Sequence, residues 1–232
     1  MNKFPNLFII IPAYNEEQVI GDVLDSLTPY FQNIVIVNDG SNDGTKAVIE
    51  SSSAILINHA HNLGAGAAIR TGLQFVSNHS ECATALTFDA DGQHQVEDAI
   101  AFATEISMCN EDIIFGSRFL ETSNPKNMPI IKKIVLKTAC YITNYLTRTS
   151  LTDTHNGMKA IKQRGLQKLE LNLDSFAFDS EIIYQVSQKK LSYKELPTNT
   201  IYTKYSKNKG QSLRNGFIIL EDLLSLVWRN SE

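Results

Sequence analysis

Acidic residues recur directly after short hydrophobic runs in this 232-residue chain. Ile11 is followed by Pro12-Ala13-Tyr14-Asn15-Glu16, Val37 by Asn38-Asp39-Gly40-Ser41-Asn42-Asp43-Gly44-Thr45, and Phe88 by Asp89-Ala90-Asp91-Gly92-Gln93-His94. Asp89 and Asp91 stand two apart at the end of a run, so both carboxylates face the same side. Oxygen donors of this kind suit hard cations such as Mg²⁺ or Mn²⁺. A DxDG sequence alone also describes an ordinary turn, because Asp and Gly dominate turns. Its place after a hydrophobic run, with Asp39 at the end of another, favours the metal. Like charges gathered at one edge are costly unless something positive sits among them, and a divalent cation carrying a phosphorylated ligand answers that need. Asn62-Leu63-Gly64-Ala65-Gly66 opens a further helix. It is not a dinucleotide fingerprint, since Ile69 stands where the third glycine belongs. Arg70, one turn into that helix, either reaches a phosphate or pairs with an acidic neighbour.

The elements that must position these residues alternate in the first half. Leu7–Ile11, Ile34–Asn38, Ala54–Asn58, Thr84–Phe88 and Asp112–Phe115 read as buried strands, and Glu16–Leu27, Gly44–Glu50, Gly66–Ser77 and Val96–Ile106 as helices. Repeated strand–helix–strand units imply an α/β fold with a mainly parallel sheet covered on both faces. Right-handed crossovers bring the C-terminal strand ends to one edge, where such sheets bind ligands. Beyond Phe115 the rhythm breaks. A helix pair or one long helix is expected over 126–146, a short strand at Met158–Ile161, a helix at Phe178–Lys189, a strand at Ser192–Pro197 and a last helix over Ser212–Trp228. No repeat or linker interrupts the chain, and a single domain over 1–232 is expected.

Composition narrows the function. Twenty-one basic against 25 acidic residues give a net charge of −4, which speaks against a general nucleic-acid binder. Cys82, Cys109 and Cys140 lie far apart without CxxC spacing and read as reduced thiols of a cytosolic protein. No run approaches the ~18–20 apolar residues of a membrane span.

The four motifs around residues 11–16, 38–45, 62–66 and 89–94, in this order, resemble family 2 glycosyltransferases. The nearest branch is the dolichyl-phosphate mannosyltransferase and polyprenyl-phosphate glucosyltransferase type. The resemblance implies a GT-A fold, a nucleotide-diphospho-sugar donor carried by UDP or GDP, and inversion at the anomeric carbon. Pro12, Ala13, Tyr14 and Glu16 would line the nucleotide pocket with Asn62, Gly66, Arg70 and Ala90, and Asp39 would hold the base or ribose. Asp89 and Asp91 would hold the metal and diphosphate, with Gln93 as a further ligand. Gly116-Ser117-Arg118 matches a later motif that makes Arg118 an acceptor-phosphate contact, with Asn156 beside it. Asp153-Thr154-His155-Asn156-Gly157 offers Asp153 as the catalytic acid, and Glu181 is the second candidate. Ser206, Lys207 and Lys209 lie in a segment that relatives close over the diphosphate.

Between Ser123 and Ser150, five basic residues and no acidic ones interleave with isoleucines and tyrosines. That pattern suits the headgroup region of an anionic membrane, and equally a helix with one core-facing side and a solvated lysine face. The resemblance implies a polyprenyl or dolichyl phosphate acceptor at the cytoplasmic membrane face, and this stretch suits docking that is peripheral or through a small membrane protein. Transfer to a glycan hydroxyl, and a non-catalytic nucleotide-sugar-binding module, are the alternatives. A nucleotidyltransferase would carry a basic Gly-rich loop after the first strand, where this chain has Pro12–Glu17.

Overall fold

A computed structural model describes residues 4–123, 125–171, 178–202 and 205. Seven strands form one sheet: β1 (Leu7–Ala13), β2 (Asn33–Asn38), β3 (Ile55–Asn58), β4 (Thr84–Thr87), β5 (Ile113–Ser117), β6 (Lys159–Lys162) and β7 (Tyr193–Pro197). Their order across the sheet is β3-β2-β1-β4-β6-β5-β7. The period-2 side-chain alternation of the strands builds a core on each face. In β1, Leu7, Ile9, Ile11 and Ala13 enter one core, while Phe8 and Ile10 enter the other. The first core is closed by α1 (Ile20–Leu27), α2 (Thr45–Glu50) and α4 (Val96–Met108). The second is closed by α3 (Ala65–Ser77), the short α6 (Gln163–Leu166) and α7 (Phe178–Gln188). The expected two-sided α/β architecture is therefore present.

Several details differ from the sequence reading. The strand expected as buried at Ala54–Asn58 is β3, an edge strand with Ile55 38% exposed, because no strand of the described residues pairs with its outer side. The strand expected at Met158–Ile161 forms one residue later and runs antiparallel between β4 and β5. Its beginning, not its end, therefore meets the ligand-binding edge. The first helix begins at Ile20 and not at Glu16, because Asn15 takes a left-handed φ of 54° and the Glu16 N–H is held by the Thr45 hydroxyl at 2.7 Å. Finally, 126–146 resolves into one helix, α5 (Ile130–Thr147), which starts only after Pro129. Proline is tolerated at such a start because its missing N–H would be unpaired there anyway. Lys126 instead bridges to Ile201. The expected last helix over Ser212–Trp228 lies outside the described residues.

Candidate active site

Strand ends and the connections after them enclose a cavity of about 520 Å³ at one edge of the sheet. Its first wall is Pro12, Ala13, Tyr14 and Glu16 from the end of β1. This β1–α1 connection is tied to the β2–α2 turn: Asn15 N–H donates to Ser41 Oγ at 3.0 Å, Asn42 N–H to Asn15 Oδ1 at 2.8 Å, and Gly44 N–H to Glu17 Oε2 at 2.7 Å. The Tyr205 hydroxyl donates to Glu16 Oε2 at 2.7 Å. Asp39 follows β2 and is 3% exposed, yet it reaches the same cavity. Its carboxylate accepts from the Leu63 and Gly64 N–H groups and meets the His59 ring.

Asp89 and Asp91, two strand positions away across β1, form the acidic part of the wall. Burial works to raise the Asp89 carboxyl, but the His94 ring 2.9 Å from its Oδ2, together with the charges of Lys159 and Arg118, holds it below the usual range. Asp91 goes the other way, pushed up by burial and by the charge of Asp89. Burial likewise opposes protonation of His94, and the two carboxylates override it and raise that imidazole. The Asp91 carboxylate accepts from the Gln93 side-chain amide and, at 3.0 Å, from the Gln93 N–H. Gly157 packs directly against Asp89: a Cβ there would lie 2.3 Å from Oδ1.

The opposite wall is cationic. Arg118 grips Asp153 in a two-pronged pair, Nε–Oδ2 at 2.6 Å and Nη2–Oδ1 at 2.8 Å, and also donates to the His155 carbonyl at 2.6 Å and the Tyr202 hydroxyl at 3.3 Å. Burial resists ionisation of Asp153, but the guanidinium prevails and holds the carboxyl below its usual range. Lys132 enters from α5, its Nζ 4.5 Å from the centre of the Tyr202 ring, and burial and Arg118 lower its pKa. Underneath, Lys159 is 1% exposed and donates to Asp179 and, at 2.6 Å, to the Asn156 carbonyl. Burial raises the Asp179 carboxyl in spite of that lysine. His155 bonds Thr154 through Nδ1 at 2.8 Å and leaves Nε2 buried without a partner among the described residues. Burial lowers its pKa to about 4, so the ring is neutral.

Pro12, Ala13, Tyr14, Glu16, Asp39, Asn62, Asp89, Asp91, Gln93, Arg118 and Asn156 thus line one cavity, as the sequence led us to expect. Gly66 and Arg70 sit in α3 and Ala90 is buried, all outside the lining. Neither candidate acid lines it: Asp153 stands behind Arg118, and Glu181 is 2% exposed within α7. Lys207, Lys209 and Ser206 lie outside the described residues. His94, Lys132, His155 and Asp179 complete the wall without having been singled out as site residues. Among the described residues no three His, Cys, Asp or Glu side chains cluster as a self-sufficient metal site. The donor set still fits a hard cation: two carboxylates, one lifted by burial and its like-charged neighbour, with phosphate oxygens and waters left to complete a Mg²⁺ or Mn²⁺ shell.

The doubly covered sheet, with acidic and cationic residues facing each other at its strand ends, has the GT-A fold of glycosyltransferases, shared with its structural neighbours. The chain belongs to glycosyl transferase family 2, whose sequence model matches residues 8–170. It is 33% identical to the UDP-N-acetylglucosamine–dolichyl-phosphate N-acetylglucosaminyltransferase of Methanococcus voltae, over 95% of each chain. The polyprenol monophosphomannose synthase of Mycolicibacterium smegmatis is 25% identical over 82% of this chain and 75% of its own. In three dimensions the chain is similar to glucosyl-3-phosphoglycerate synthase of Mycobacterium tuberculosis, solved with Mn²⁺, UDP and phosphoglyceric acid. The TM-score is 0.73 at 13% identity, covering 96% of this chain and 78% of that one. That likeness shows the fold.

Proposed function

We propose that the protein is an inverting, metal-dependent transferase that moves a sugar from a UDP- or GDP-sugar to a polyprenyl or dolichyl phosphate at the cytoplasmic face of a membrane. The observation that carries this reading is the pairing, in one cavity, of the Asp89–Asp91 wall with the Arg118–Lys132 wall. Two separate phosphate groups need two separate sources of positive charge. Pro12, Ala13, Tyr14 and Asp39 take the nucleoside, and Asp89 and Asp91, with Gln93 beside them, hold a divalent cation against the diphosphate. Held there, a divalent cation would supply Lewis-acid stabilisation of the charge that develops on the leaving diphosphate. Arg118 binds the acceptor phosphate with Asn156 nearby, and Asp153 acts as the positioning residue that holds the guanidinium in place. The acceptor oxygen attacks the anomeric carbon as the bond to the diphosphate breaks and its electron pair leaves with the nucleotide. An ionised phosphate oxygen needs no general base, in keeping with a lining that includes neither Asp153 nor Glu181. The names of the relatives, which pair sugars with dolichyl or polyprenol phosphates, support the same acceptor class.

The outer face of α5 supports the membrane setting. Ile130, Ile131, Ile134, Tyr141 and Tyr145 are each at least 60% exposed, while the helix turns Cys140, Thr143 and Thr147 inward. No helix of the described residues is long and apolar enough to cross a membrane. Radiolabelled nucleotide sugars incubated with Mn²⁺ and a short polyprenyl phosphate should yield label extractable into organic solvent. Chelation or Asp91→Ala should remove it, by about 10³-fold or more. Label passing only to free saccharides, or transfer indifferent to chelator, would overturn the reading.

A further inference from the structure

We infer that His59, a residue outside the cavity lining, determines which nucleobase the donor carries, and that it selects uracil over guanine. The inference rests on the proposed placement of the nucleoside against Asp39. The two carboxylate oxygens of an ionised Asp offer about four acceptor positions between them. At Asp39, Oδ1 meets the Leu63 N–H at 2.9 Å and His59 Nδ1 at 2.7 Å, so both of its positions are taken. Oδ2 accepts the Gly64 N–H at 2.8 Å, and one position remains among the described residues.

The His59 contact is held firmly. Its side chain is only 9% exposed, and its Nε2 lies 2.9 Å from the Thr71 hydroxyl on α3. An anionic carboxylate at Nδ1 requires the proton on that nitrogen, so Nε2 accepts from Thr71. The ring therefore bridges the third β–α connection to the carboxylate and cannot rotate away without losing both bonds. The turn after Asp39 is fixed as well: Gly40 has φ +68°, and a Cβ there would lie 2.4 Å from the His61 carbonyl carbon. Backbone this closely packed does not let the carboxylate shift to present a second oxygen.

Uracil brings one imide N–H to its recognition edge, which a single remaining acceptor position satisfies. Guanine brings an imide N–H together with an exocyclic amine, a pair that needs two carboxylate acceptors side by side. One guanine donor would be left buried and unpaired, and sites built on hydrogen bonds discriminate strongly against such ligands. The lateral geometry agrees, since β1 alone separates the strands that carry Asp39 and Asp89. Two strand spacings amount to roughly 10 Å, a distance a nucleoside spans between its base edge and its diphosphate.

Titration calorimetry with UDP and with GDP, each with Mn²⁺, tests this on the intact chain. Wild type should bind UDP at least about tenfold more tightly than GDP. His59→Ala, which frees a position on Oδ1, should narrow that ratio to about threefold or less. Thr71→Val, a milder change that only releases the ring, should narrow it in the same direction. A loss of order in the pocket would weaken both nucleotides equally and leave the ratio alone, so an unchanged ratio in Thr71→Val overturns the role of His59. Wild type binding GDP as tightly as UDP overturns the base assignment while leaving the transferase reading intact. Binding of neither nucleotide overturns that reading and this inference together.

Discussion

The two walls of the cavity are built on opposite principles. The acidic wall of Asp89 and Asp91 is unevenly compensated: Asp89 is held down by His94 with Lys159 and Arg118 beyond it, whereas Asp91 stays raised by burial and by the charge of Asp89. The cationic wall is compensated in advance, with Arg118 locked on Asp153 and Lys159 on Asp179. On the proposed reading, the acidic wall holds its repulsion until a cation arrives, and the cationic wall keeps its shape before a phosphate binds and gives up little on binding. Stability and activity should therefore separate between the two sides.

Arg118→Ala gives the largest expected effect on folding. It strands the buried Asp153 charge and should cost about 3–5 kcal/mol in chemical denaturation. Asp91→Ala should abolish transfer yet leave the denaturation midpoint unchanged or raised, since it removes a carboxylate whose ionisation the fold opposes. Equal destabilisation by both variants would erase the contrast between the walls.

His155 supplies a pH test of the cationic side. In the unfolded chain its imidazole titrates near 6.5, whereas burial holds the folded ring neutral down to about 4. Between these values the unfolded chain binds a proton that the folded chain refuses. Stability should therefore fall as pH drops through this window and level off below it, by roughly 3 kcal/mol in all. Subtracting the stability profile of His155→Gln isolates this loss from that of the carboxylates. A flat difference would mean the ring is free to protonate in place.

Gly157→Ala sharpens the acidic side. The added methyl has no room beside Asp89 and should displace that carboxylate, costing about 1–3 kcal/mol. Mn²⁺-dependent UDP binding, followed by calorimetry, should weaken more than metal-free binding does. The smallest effect belongs to α5: Ile131→Ser with Ile134→Ser should change stability by about 0.5 kcal/mol or less, as exposed substitutions do. Sedimentation with anionic vesicles should fall clearly for this double variant, and unchanged sedimentation would remove α5 from the membrane contact.

The acidic wall was legible in the sequence because each part sits within a few residues of the strand that presents it. Pro12–Glu16, Asp39 and Asp89–Gln93 need only the period of a strand and the rule that parallel sheets bind ligands at their C-terminal edge. The cationic wall depends on long-range partners, and local pattern does not report those. Arg118 meets Asp153 35 residues on, and Gly157 meets Asp89 68 residues back. Asp179 was passed over for Glu181, two positions later, because composition alone does not say which helix face turns to the cavity. One signal was available: Lys159 interrupts Met158–Ile161, an otherwise apolar strand, and a lysine there requires a buried acid. The antiparallel sense of β6 had no local signature, since a four-residue strand reads the same in either direction.

That strand also sets the order in which the molecule can be completed. Strands β1 to β4 pair among themselves through short crossovers within the first 87 residues. Neither flank of β6 touches the other directly: β4 pairs with β1 and β6, while β5 pairs with β6 and β7. A chain emerging from the ribosome therefore carries an unpaired β4 edge until Lys159–Lys162 arrives to wedge itself in. Bare edges of this kind recruit other chains. This four-residue stitch thus joins the two walls of the cavity and, in the same event, closes the open edge of β4.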